Sequence, residues 1–177
     1  MKSIALLTLF LATLVSGCKK EPPKPQLPPY TQEGKNIFAC KISGEVFIAE
    51  GVMDNNPMSP KGVDYYWILS GSDTLIYINA NEEKPLKASI SLKFIFESLN
   101  FAKELNQYEK SVGYFYIPVE NYVLAESKYS TNEDHKGWVT VKYFQNNILA
   151  GTFEFTAIDD RGEIIHITEG RFDLSTN

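Results

Sequence analysis

Cysteine and histidine are scarce in this chain, with two of each in 177 residues: Cys18, Cys40, His135 and His166. A disulfide framework is excluded if either cysteine is otherwise engaged, and a zinc centre built from separated Cys and His ligands lacks its raw material. Basic charge is also short: 17 Lys and Arg stand against 22 Asp and Glu. A mildly acidic chain argues against nucleic acid as a partner and against an electrostatic membrane patch. No Gly-x-Ser-x-Gly, Walker loop or His-Glu-x-x-His occurs, so no enzyme class declares itself and no cofactor is expected. The one long apolar run, Ile4 to Leu14, is 11 residues. A bilayer-spanning helix takes ~20.

What is present begins at that run. Lys2 precedes it, and the charge-then-apolar order and its length are those of a secretory signal segment. It lacks the polar face of a surface helix. Leu14-Val15-Ser16-Gly17-Cys18 follows. It resembles the bacterial lipobox: a branched apolar residue, small residues that lie extended in a peptidase cleft, then Cys. The resemblance implies cleavage between Gly17 and Cys18, with membrane lipid joined to the Cys18 thiol and amine. A single acyl chain anchors marginally, at ~0.8 kcal/mol per buried CH₂, whereas two or more hold stably.

Residues 19–29 contain five prolines among mostly charged residues. Such a stretch favours extended polyproline geometry and cannot bury a core. The reading is therefore a signal peptide over 1–17, a lipidated cysteine with a Pro-rich tether over 18–35, and one domain over 36–177. Removing 17 residues from 177 leaves 160, enough for a core without disulfide staples. No Asp follows Cys18, so the inner-membrane retention signal of enterobacterial lipoproteins is missing. Lys20-Glu21 loosely resembles the surface-export tag of Bacteroidota lipoproteins, with Pro22 where a second acid usually stands. The expected location is the outer membrane, with either side open.

Beyond the tether, aromatic and β-branched residues crowd into short runs separated by turn residues, the pattern of strands and hairpins. Strands are expected over 37–42, 45–48, 65–70, 74–80, 89–97, 111–118, 122–130, 138–144, 148–158, 163–168 and 171–174. Turns are expected at Ser43-Gly44, Gly71-Ser72-Asp73, Asn146-Asn147, Asp159 to Gly162 and Glu169-Gly170. Along 148–158, Leu149, Gly151, Phe153, Phe155 and Ala157 alternate inward, and Ala150, Thr152, Glu154 and Thr156 outward. This period of two suits an antiparallel sheet with one solvated face. Leu99, Ala102 and Leu105 fall near helical spacing and suggest a short helix around 99–107. The fold class expected is all-β, an antiparallel sandwich or open barrel of nine or ten short strands.

Three C-terminal runs, Gly137-Trp138-Val139-Thr140-Val141, Gly151 to Ala157 and Ile167 to Asp173, together with the hairpin Phe38-Ala39-Cys40-Lys41-Ile42-Ser43-Gly44-Glu45-Val46-Phe47, are similar to signatures of small Bacteroidota lipoproteins. The resemblance covers both ends of the domain. It implies the fold and an envelope location, and it assigns no catalytic residues.

Cys40 alternates with Phe38 and Ile42 and reads as a core residue. His135 sits in the charged turn Thr131 to Gly137, and His166 on a strand surface. Asp54-Asn55-Asn56 and Asp159-Asp160 lack the spacing of a calcium loop. Arg171 and Asp173 share one strand face and read as a structural pair, with a ligand-binding Arg171 as the rival. Tyr114 and Tyr116 also share a face. They read as amphipathic rings lining the core, with an exposed strip that stacks on sugars as the rival. Asp73-Thr74-Leu75 resembles a Bacteroidota O-glycosylation acceptor at Thr74. The function expected is a non-catalytic envelope module binding a small ligand or an envelope protein. A lipocalin-like carrier of an apolar ligand and a hydrolase with an unrecognised site are the alternatives.

Overall fold

The computed structural model describes residues 25–49, 62–82, 88–106, 111–118 and 125–175. They form eleven strands: β1 (Ile37–Ile42), β2 (Glu45–Ile48), β3 (Val63–Ser70), β4 (Asp73–Glu82), β5 (Ala88–Phe96), β6 (Ala102–Leu105), β7 (Val112–Pro118), β8 (Ala125–Ser130), β9 (Gly137–Gln145), β10 (Ile148–Ile158) and β11 (Ile164–Ser175). All pairings are antiparallel, and the strands join in a single sheet curled into a half-barrel. The main path runs β2-β1-β11-β10-β8-β7-β5-β4-β3.

The sheet forks at β10 because that strand is long. Its first part, Ile148 to Phe155, pairs with β9, which carries β6 on its far edge. Its last residue, Ile158, pairs instead with Ser130 of β8. The curl brings distant strands together. The Tyr65 hydroxyl in β3 donates to the Asn147 carbonyl at 2.6 Å, and the Ile48 amide in β2 donates to Glu82 Oε1 in β4 at 3.0 Å.

Period-two alternation sets which face is buried. Ile90, Leu92 and Phe94 from β5, Ile76 and Ile78 from β4, Phe38 from β1, Phe47 from β2 and Phe172 from β11 meet on the concave side. Each such side chain contributes ~2–3 kcal/mol of hydrophobic stabilisation. Phe153 packs against Phe38 at a ring-centroid distance of 4.7 Å. Cys40 is fully buried among them, as its alternation indicated. Burial pushes its thiol well above the ordinary range, and the nearby Glu82 charge adds to the shift.

Three expectations about the strands and their faces need correction. The helix expected around 99–107 is absent among the described residues; Ala102–Leu105 is strand β6, paired with Gly137 to Thr140. Of its apparent helical face only Leu105 is buried, while Leu99 and Ala102 are exposed. The turn at Glu169-Gly170 is a bulge inside the continuous strand β11. Phe153 pairs with Gly170 and Phe155 with Ile167, so Glu154 faces two residues, and Glu169 takes φ +53 to accommodate this. Ala150, expected to face solvent, is fully buried. Its partner across the ladder is Asp173, and the chain ahead of β1 lies over that position.

That covering segment is the end of the Pro-rich stretch, fastened to the sheet from Pro28 onward. Asp173 Oδ2 accepts from the Thr31 hydroxyl at 2.5 Å and from the Glu33 amide at 3.0 Å, and Oδ1 accepts from the Gly34 amide at 2.7 Å. Arg171 Nη1 donates to the Pro28 carbonyl at 3.0 Å. Asn36 Oδ1 accepts from the Ser175 amide at 2.8 Å. The segment is a strap across the outer face of β11.

Candidate functional site

Beside the strap, the outer face of β9, β10 and β11 holds a groove of about 450 Å³. Alternation builds it. In β9, Val139 and Val141 point into the core, which turns Trp138 and Thr140 outward. In β10, Thr152 and Glu154 face out on the same logic. Register then aligns them: Thr140 opposes Thr152, which opposes Arg171, and Trp138 opposes Glu154. Tyr30 from the strap supplies the remaining wall.

Trp138 remains 45% exposed and Tyr30 37% exposed. Two large rings held half out of water are the least expected feature of an otherwise polar face. The polar groups between them divide into committed and open sets. Glu169 is paired with Lys41. The Arg171 guanidinium is oriented by the Glu169 carbonyl, which accepts from Nε at 3.3 Å and from Nη2 at 3.2 Å. Among the described residues, Thr140, Thr152 and Glu154 form no side-chain hydrogen bond or ion pair. Their hydroxyls and carboxylate are open to a ligand.

On the other side of Trp138 and Glu154 lies a second depression of about 190 Å³, bordered by Lys136, Thr156, His166 and Thr168. Trp138 and the open Glu154 carboxylate therefore border both recesses.

The bulge in β11 depends on a glycine. A Cβ at Gly170 would stand 2.4 Å from the Phe153 carbonyl oxygen and 2.7 Å from its ring. Only glycine lets β11 approach β10 this closely while Glu169 and Arg171 stay at the groove.

The residues singled out from sequence distribute as follows. Arg171 and Asp173 share the outer face but are not each other's partner; each holds the strap instead. Burial alone would raise the Asp173 carboxyl, but the Thr31 hydroxyl and the Glu33, Gly34 and Lys35 amides hold it below the usual carboxylate range. Tyr114 and Tyr116 lie half-buried on the outer face, their centroids 5.8 Å apart, not in the core. Lys128 Nζ covers the Tyr114 ring at 4.5 Å. The reading of these rings as core lining fails because β7 turns Phe115 inward, leaving its neighbours outside. Burial raises the Tyr116 phenol, with Tyr114 adding to the shift.

Thr74 is half-buried at the start of β4, opposite Leu69 and Phe96. His135 stays in its own turn, its Nδ1 3.1 Å from Asn132 Oδ1. His166 Nδ1 is 3.1 Å from the Thr156 hydroxyl across the β10–β11 ladder. In the Asp159 turn the carboxylate is occupied by the Glu163 amide at 2.8 Å, the Arg161 amide at 3.0 Å and Arg161 Nε at 2.9 Å. Burial favours its neutral form, but these donors, led by the Arg161 side chain, hold the carboxyl below its ordinary value. Among the described residues no group of three His, Cys, Asp or Glu side chains is arranged to hold a metal. Gly17, Cys18 and Asp54 to Asn56 lie outside the described residues.

No protein-family model, curated protein or solved structure matches this chain. The groove therefore stands on its own geometry. Sequence reasoning placed Trp138 on a strand but did not single it out. Its signal was parity: Gly137-Trp138-Val139-Thr140-Val141 puts a tryptophan on the same side as a threonine, opposite two core valines.

Proposed function

We propose that this protein is an envelope lipoprotein, moored to the outer membrane through acylated Cys18, and that it acts as a non-catalytic binding module. The groove framed by Trp138 and Tyr30 is its ligand site. The observation that carries this reading is the combination of two half-exposed rings with uncommitted Thr140, Thr152 and Glu154 in a recess of about 450 Å³. That volume lies within the ~300–1,000 Å³ typical of small-ligand sites. Two further features support the reading. The concave side is filled by Phe38, Phe47, Phe94 and Phe172, which favours a surface site over an internal apolar cavity. Each histidine ring meets an amide or hydroxyl oxygen rather than a carboxylate, which favours binding over acid–base chemistry.

Thr140→p-benzoylphenylalanine in the full-length protein, photoactivated in the cells that make it, tests the site. A defined adduct that disappears when Trp138→Ala is added supports the reading. Absence of any adduct from this position overturns it. Cys18→Ala tests the mooring: transfer from the membrane to the soluble fraction is expected, and retention in the membrane contradicts the anchor.

A further inference from the structure

The chemistry of the groove identifies the class of ligand it takes. Formal charge nearly cancels there: Glu169 is neutralised by Lys41, and Arg171 balances Glu154. A strongly anionic or cationic ligand would meet no compensating field. The open groups are hydroxyls, one carboxylate and what remains of a guanidinium. Arg171 has five N–H donors. Three reach the Glu169 and Pro28 carbonyls, leaving two for a ligand. Such a set recognises a molecule presenting many hydroxyls. Glu154 accepts from them in charge-assisted bonds, Thr140 and Thr152 donate or accept, and Arg171 donates. The indole of Trp138 and the ring of Tyr30 offer apolar faces to the C–H surface of a pyranose.

A peptide is the main competitor. Extended peptides are commonly held by main-chain bonds to an unpaired strand edge. In this groove β10 lies between β9 and β11, and its backbone groups are engaged on both sides. Side chains alone face the ligand. The second depression beyond Trp138 extends the surface to more than one ring's length. We propose, resting on the reading of this groove as the ligand site, that it binds a neutral oligosaccharide lying across β9, β10 and β11. One ring stacks on Trp138, and Glu154 holds hydroxyls of that ring or its neighbour.

The strap makes this a composite site. Tyr30 reaches the groove only while Asp173 and Arg171 hold residues 28–34 in place. Asp173 is therefore a positioning residue for the oligosaccharide.

The test uses the full chain in detergent. The chain contains two tryptophans, so Trp67→Phe, an exposed position on β3, leaves Trp138 as the sole indole emitter. Neutral oligosaccharides of glucose, mannose, galactose and N-acetylglucosamine, one to six rings long, are titrated through the millimolar range. A neutral Gly/Ser hexapeptide and oligogalacturonate serve as comparison probes. At least one neutral series is expected to shift Trp138 emission saturably, tightening about tenfold from one ring to three. Glu154→Gln and Tyr30→Ala are each expected to weaken that series about tenfold, and Asp173→Asn to weaken it with the sheet still folded. The indole N–H NMR signals of the unsubstituted chain give the same readout should Trp67→Phe disturb folding.

A shift with the peptide or the galacturonate but with no neutral series overturns the saccharide assignment. So does unaltered binding in Glu154→Gln. No shift with any neutral series overturns it too; a Thr140 photoadduct in that case leaves the groove as a binding site of another class, and the lack of one removes both readings.

Discussion

Over β11, the outer face is covered by the chain's own residues 28–36, gathered around one buried carboxylate. Over β4, β5, β7 and β8, the same face is finished, among the described residues, by short-range side-chain pairs. Ser91 donates to Asn79 at 2.9 Å and Ser89 to Asn81 at 2.7 Å. Tyr66 stacks on Tyr77 at 4.8 Å, and Lys93 and Lys128 cover Tyr77 and Tyr114. Both halves obey the same alternation. The first solves its outer face with a long-range connection between residues 138 or more apart in the chain, the second with neighbours across a ladder. The first concentrates its stability in a few contacts and leaves a recess beside the strap. The second spreads small contributions over many pairs.

The sharpest break of this contrast is in backbone approach. Gly170→Ala drives a methyl into the Phe153 carbonyl and ring, and a loss of about 3 kcal/mol is expected in urea unfolding. Gly71→Ala in the β3–β4 turn, where no atom lies within 4 Å but φ is +68, should cost about 1 kcal/mol. Equal costs would mean that the two halves are packed alike.

Next in size is the strap. Asp173→Ala removes the acceptor for the Thr31 hydroxyl and for the Glu33 and Gly34 amides, and about 2 kcal/mol should be lost. The loss is bounded by the docking energy of the strap, because a released strap satisfies its donors with water. Limited proteolysis should then cut within residues 28–36 while the sheet stays intact. The same contact predicts a pH dependence. The folded pKa of Asp173 lies below its unfolded value of ~3.9, so its contribution is complete above that pH. It is lost as pH falls from there through the folded value. The strap should detach in acid before the sheet melts, as read by Trp138 emission.

The side-chain ladder yields the smallest effects. Asn79→Ala should cost about 1 kcal/mol by loss of the Ser91 bond. Lys128→Ala should cost about 0.5 kcal/mol through the Tyr114 ring. Either loss exceeding that of Asp173→Ala would reverse the contrast between the halves.

The two halves were also unequally legible. Strands such as 148–158 could be read because Leu149, Phe153 and Phe155 recur every second residue, and burial of one face enforces that period. The Glu169-Gly170 bulge looked like a turn because sequence shows two turn-prone residues but not the partner strand that spans them. The 99–107 segment looked helical because Leu99, Ala102 and Leu105 fall near helical spacing; pairing of Ala102–Leu105 with β9 outweighed that weak signal. The strap was invisible. Composition marks a Pro-rich stretch as unable to bury a core, yet this one is held by backbone amides and one carbonyl, groups every sequence has. The groove inherits that blindness, since Tyr30 belongs to the strap, whereas Trp138 was readable from its parity with Thr140.

Amide hydrogen exchange at Gly34 in the full-length protein tests the composite wall most directly. Strong protection at neutral pH, abolished in Asp173→Ala and lost in acid only as pH falls through the lowered folded value of the Asp173 carboxyl, is the predicted result. Exchange at the rate of an open peptide in the unsubstituted protein at neutral pH would contradict the strap, and with it Tyr30 as a wall of the groove.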